Sequence, residues 1–154
     1  MDVIRGMMAF IDAAPTAFHA VEQVAKRLED AGYERLEECA AWRIAPGGRY
    51  FVTRNRSSLI AFRVPECGFK PFQIVASHGD SPCFKLKPNA DRAAQGLALL
   101  NVEKYGGMLM STWLDRPLSV AGRLVVEGAH GLETRLVDVA VSYTHLTLPT
   151  ILLV

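Results

Sequence analysis

Residues 72–82 read Phe72-Gln73-Ile74-Val75-Ala76-Ser77-His78-Gly79-Asp80-Ser81-Pro82, FQIVASHGDSP. FQIVAS is an apolar run of strand length, and such a run suits a strand covered on both faces, the interior of an α/β sheet. It stops on a histidine and an aspartate two positions apart. In open α/β sheets ligands gather at the carboxyl ends of strands, where the backbone turns and side chains project into a crevice. Neutral imidazole is the commonest side-chain metal ligand, and a ligating histidine generally donates its other ring N–H to a carboxylate or carbonyl. His78 is therefore a candidate metal ligand, with Asp80 as its orienting carboxylate and Ser81-Pro82 stiffening the turn. Spacing alone leaves a second reading open, a structural hydrogen-bonding histidine.

Working outward, PTAFHAVEQVAKRLEDAGYERL carries a helix start at Pro15-Thr16. Its apolar stripe of Phe18, Val21, Val24, Ala25 and Leu28 ends at Gly32. Beyond the turn signal Pro46-Gly47-Gly48, RYFVT and SLIAFRV are β-rich runs separated by Arg54-Asn55-Arg56-Ser57, short enough for a hairpin. After FQIVAS, Phe84-Lys85-Leu86-Lys87 alternates like a half-exposed strand and Pro88-Asn89-Ala90-Asp91 begins a polar loop. Past Gly96 the chain reads as short strands and glycine turns: LALLNVE, GGMLMSTW, LSVAGRLVVEG and LETRLVDV. The fold class is α/β, with residues 1–90 one domain and 91–139 the start of a β-rich second one.

The totals narrow the function. The 154 residues are 50% hydrophobic and 21% charged, the composition of a globular protein, and the net charge of +1 gives no electrostatic case for nucleic acid or an anionic membrane surface. No segment approaches the roughly 18 apolar residues of a membrane span, and the N-terminus lacks a signal-peptide pattern. Cys39, Cys67 and Cys83 lack the CxxC spacing of a metal or redox pair and read as reduced thiols of a cytoplasmic protein.

Three blocks carry a resemblance: AFIDAAPTAFHAVEQVAKRLEDAGYERLEE, IVASHGDSPCFKLKPNA and NVEKYGGMLMSTWLDRPLSVAGRLVVEG. In this order, over residues 5–139, the chain resembles the aspartyl aminopeptidase family, cytosolic zinc exopeptidases that remove N-terminal residues, acidic ones in the best-known members. The resemblance implies the N-terminal part of a zinc-peptidase (phosphorylase/hydrolase-like) catalytic domain, with a β-rich dimerisation domain inserted into it. It implies a two-zinc site, a peptide substrate and a homo-oligomer. It maps the first ligand histidine onto His78 and the carboxylate two residues later, assigned to the catalytic apparatus, onto Asp80. The remaining ligands and the general base would lie further along.

Val141–Thr150, VSYTHLTLPT, matches what one reading frame of a common transposon-derived sequencing adapter would encode, so residues 140–154 are expected to be a non-native tail and the chain a fragment, inactive alone. Two other classes remain in view. One is a non-catalytic oligomerisation or binding module on the same scaffold; the other is a Cys83-dependent hydrolase, which needs an activated thiol. His19 reads as a helical surface histidine, His130 as a solvated turn residue, and Asp115-Arg116 as an ion pair or turn. The pair Gly106-Gly107 lacks the pattern of a phosphate loop.

Overall fold

The structure is a computed structural model and describes residues 2–68, 71–139, 144–146 and 151–153. The chain forms two compact units, Met1–Asp80 and Ser81–Val154.

The first unit opens with helix α1, Val3–Asp12, capped by the Asp2 carboxylate, which accepts from the Ile4 N–H at 3.1 Å. No residue of α1 is buried, and Val3, Ile4, Met7, Met8 and Ile11 leave an exposed apolar stripe. Arg27 ties α1 to the next helix: its guanidinium donates to the Gly6 carbonyl at 3.4 Å and lies 4.8 Å from the centre of the Phe10 ring. Helix α2, Ala17–Asp30, starts where the residues predict, with the Thr16 hydroxyl accepting from the His19 N–H. Its end is a Schellman turn, in which the Tyr33 N–H reaches the Leu28 carbonyl and the Gly32 N–H reaches that of Glu29. Gly32 sits at φ +77°, a left-handed conformation that glycine adopts freely.

Strands β1 (Glu34–Leu36), β2 (Arg49–Arg54) and β3 (Ser58–Arg63) form one sheet with β2 in the centre, parallel to β1 and antiparallel to β3. Helix α2 packs on this sheet. The core is Val21 and Ala25 from α2, Leu36 from β1, and Tyr50 and the fully buried Phe51 from β2. Two adjacent buried residues on one strand mean that both faces of β2 are covered. The Tyr50 side is covered by Phe62, with ring centres 5.6 Å apart, while Trp42 stacks on Phe62 at 6.3 Å. The Tyr50 hydroxyl accepts from the Ala45 N–H at 3.0 Å, and its ring occupies the space that any side chain on Gly48 would need. The β2–β3 hairpin turns through Asn55 and Arg56, both left-handed, at φ 51° and 52°. At its base Arg54 pairs with Glu38, whose hydrogen bond and then whose charge raise the Arg54 pKa above its ordinary range. With Arg54 exposed, that pair adds little to stability.

Residues 71–82 depart from expectation. FQIVAS is not a strand here: among the described residues no strand is paired with residues 71–82, which belong to no helix or sheet. Phe72 and Ile74 are about four-fifths exposed, and Val75 is 100% exposed. An extended chain needs a partner for its backbone N–H and C=O groups as well as cover for its side chains. The sheet β1-β2-β3 offers this segment neither.

The second unit is built of hairpins. Strands β4 (Cys83–Ala94) and β5 (Leu97–Tyr105) are joined by Gln95-Gly96, both at positive φ, a two-residue turn of the kind whose twist suits a hairpin. The expected polar loop at residues 88–91 lies inside β4 as an irregularity: pairing jumps from Leu86↔Val102 to Asp91↔Leu100. Leu99 is buried. GGMLMSTW, expected as a strand, instead contains a short 3-10 turn at Met110–Trp113. There the Thr112 hydroxyl and N–H both bond the Leu109 carbonyl, at 2.8 and 3.1 Å, a local side-chain bond that competes with strand pairing. Trp113 meets Phe84 edge to face at 5.4 Å. Strands β6 (Val120–Gly128) and β7 (Gly131–Val139) form a second hairpin around Ala129-His130. Thr144–Leu146 and Ile151–Leu153, β8 and β9, pair antiparallel. The rest of the expected tail, residues 140–143, 147–150 and 154, lies outside the described residues.

Candidate metal site

His78 stands on the segment outside any described helix or sheet, five residues before β4 begins at Cys83, and is 83% exposed at its side chain. Its Nδ1 lies 2.8 Å from the Asp80 backbone oxygen and 3.4 Å from Asp80 Oδ1. A carbonyl oxygen only accepts, so the shorter contact requires the proton on Nδ1. The neutral ring then carries its lone pair on Nε2, in a side chain that is largely exposed. That is the arrangement of a ligating imidazole whose tautomer is fixed from behind. Sequence reasoning gave this task to the Asp80 carboxylate; the closer group is the Asp80 main-chain carbonyl, which no residue type announces. The carboxylate, at 3.4 Å, is an ion-pair partner only for the protonated ring.

One imidazole is a fraction of a zinc site, which takes three or four protein donors. Among the described residues no three His, Cys, Asp or Glu side chains gather closely enough to hold a metal ion. The donor chemistry of His78 fits zinc; among the described residues no set of three donors is assembled around it.

The other candidates fall elsewhere. His19 lies in the first turn of α2, with its Nδ1 2.8 Å from the hydroxyl of the capping Thr16. His130 is exposed at the tip of the β6–β7 hairpin. Cys83 opens β4 in register with Tyr105 and is half-buried. Asp115 occupies a left-handed turn at φ 53°, and Arg116 donates to the Thr112 carbonyl at 3.3 Å. The open cavity of the first unit, about 490 Å³, is lined by Arg35, Leu36, Glu38, Cys39, Asn55 and Arg56 among others and includes neither His78 nor Asp80. No described helix is long and apolar enough to cross a membrane.

The chain thus consists of a mixed α/β unit and a strand-paired second unit. The aminopeptidase I zinc metalloprotease (M18) pattern matches residues 10–153, and the chain belongs to that family. A probable M18 family aminopeptidase 2 of Pseudomonas paraeruginosa (strain DSM 24068 / PA7) is 50% identical over 139 residues, covering 87% of this chain and 32% of the relative. Among solved structures, Chaetomium thermophilum mApe1 superposes with a TM-score of 0.84 at 35% identity, covering 92% of this chain and 34% of that one. The S. cerevesiae mApe1 dodecamer gives 0.81 at 28% identity, covering 94% and 35%. The chain thus spans about a third of the length of the curated relatives it matches.

Proposed function

We propose that the full-length protein is a zinc-dependent aminopeptidase that removes N-terminal residues, acidic ones by preference, from peptides. Within it, residues 1–90 would begin the catalytic domain, 91–139 would begin an inserted dimerisation domain, and 140–154 would be a non-native tail. The observation that carries the reading is the Nδ1 contact to Asp80, which leaves the lone pair of the largely exposed His78 ring on Nε2.

His78 Nε2 would hold one of two zinc ions, and Asp80 would fix the ring through its carbonyl, with its carboxylate standing by. Bound zinc polarises a scissile carbonyl and lowers the pKa of a bound water. The other ligands and the general base would come from residues beyond this chain, so the 154 residues alone would be inactive. The protein would work in the cytoplasm as a homo-oligomer, in keeping with the dodecameric S. cerevesiae relative.

The test is His78→Ala in the full-length protein. Bound zinc and cleavage of an N-terminal aspartyl or glutamyl chromogenic amide should both fall by at least about a hundredfold, the scale on which losing even an outer partner of a ligand is felt. Wild-type zinc content and wild-type activity in that variant would remove His78 from the site. A full-length protein that binds no zinc and cleaves no peptide would favour a binding module on the same scaffold.

A further inference from the structure

The cavity of the first unit carries a charge pattern in which the candidate metal site has no share. Its volume of about 490 Å³ falls within the range of small-ligand pockets, and it lies between the end of β1 and the tip of the β2–β3 hairpin. Arg35, Glu37, Glu38 and Arg56 all line it. The Glu38 carboxylate is neutralised by Arg54. Among the described residues, Arg35, Glu37 and Arg56 make no ion pair. Two guanidiniums and one carboxylate therefore border the same space with their charges unanswered.

The local structure holds these groups in place. Arg35 is in register with Phe51 across β1 and β2, on the sheet face that Thr53 shares. Its guanidinium donates to the Thr53 hydroxyl at 3.3 Å and stands 5.9 Å from the centre of the Phe51 ring. That spends one of five guanidinium N–H donors, and the hydroxyl keeps its own hydrogen to donate. The Glu37 main chain is pinned as well, its carbonyl accepting from Trp42 Nε1 at 2.9 Å and from the Ala40 N–H at 3.1 Å. Arg56 is set by the left-handed hairpin turn it forms with Asn55.

A simple inorganic anion in this space would meet Glu37, and a simple cation would meet the guanidiniums. A molecule with two carboxylates and one ammonium answers all three groups, and each guanidinium fork matches a carboxylate in shape as well as charge. We propose that the cavity binds a free acidic α-amino acid, its two carboxylates on Arg35 and Arg56 and its ammonium on Glu37. Its role as a site where released product acts back on the enzyme rests on the proposed function; the binding itself does not.

The test is equilibrium dialysis of radiolabelled L-glutamate against the full-length protein, with glutarate, which lacks the ammonium, as competitor. Wild type should bind glutamate at least about tenfold more tightly than glutarate, the scale of one charge-assisted hydrogen bond. Arg56→Ala, which removes a side chain with no ion pair to lose, should weaken both ligands by about tenfold or more. Arg63→Ala, exposed on β3 and outside the lining, should stay within about twofold of wild type. Glu37→Gln should weaken glutamate alone and so erase its advantage over glutarate. No saturable binding at millimolar glutamate would overturn the proposal, as would wild-type affinity in Arg56→Ala or an equal loss of both ligands in Glu37→Gln. Repeating the Arg56→Ala comparison in a His78→Ala background separates this cavity from the proposed catalytic site: the loss should persist there, and its disappearance would overturn the proposal. A full-length protein that cleaves no peptide yet binds glutamate through Arg56 would remove the proposed function and leave this site standing.

Discussion

Tyr50-Phe51 and Ile74-Val75 are both adjacent apolar pairs in runs of strand character, and they meet opposite fates. Phe51 is fully buried and Tyr50 nearly so, because β2 has a strand on each side and α2 packed on its sheet. Val75 is fully exposed and Ile74 nearly so, because no described strand pairs with residues 71–82. Apolarity makes both runs fit for a sheet interior; only neighbours decide which one enters it. The candidate ligand His78 stands on the run that no described strand pairs with, its ring in contact with its own Asp80.

This contrast can be broken at its strong end first. Phe51→Ala should cost about 3–5 kcal/mol, the range for emptying a buried aromatic position, and urea unfolding of the first unit should show it as a collapse of the midpoint. Gly48→Ala should cost about 1–3 kcal/mol, since the new methyl would collide with the Tyr50 ring and force it off its contacts with Phe62 and the Ala45 N–H. Thr16→Ala should cost about 1 kcal/mol through the lost cap of α2, read as reduced helical ellipticity and a lower melting temperature. At the weak end, Val75→Ala should shift stability by no more than about 0.5 kcal/mol, because there is no packing to lose. Val75→Lys should sharpen the contrast from the other side, lowering binding of an apolar dye and self-association while leaving the urea midpoint in place. A Val75→Ala cost approaching that of Phe51→Ala would mean that the segment is covered after all.

What could be read from residues follows the same division. The α2 stripe, its Thr16 start and its Gly32 stop, the β2–β3 hairpin and the β6–β7 hairpin are all local patterns, and each appears where its residues place it. Two features gave no such signal. Helix α1 is apolar along one exposed side, and β1 is only three residues long. FQIVAS was legible as a strand by composition, but a strand is a pairwise object and its partners cannot be read from the run itself. GGMLMSTW went the same way, for Thr112 spends its hydroxyl on the Leu109 carbonyl and curls the chain. At the site, His78 and Asp80 were legible as a pair. That a main-chain oxygen would be the nearer of the two Asp80 acceptors was not, since every residue carries one.

The most direct measurement is X-ray absorption at the zinc edge of the full-length protein, wild type against His78→Ala. Loss of one nitrogen scatterer at about 2.0–2.1 Å, together with its imidazole outer-shell signal, is the predicted result. An identical zinc shell in the two proteins, with peptide cleavage intact, would contradict the assignment of His78 Nε2 as a ligand.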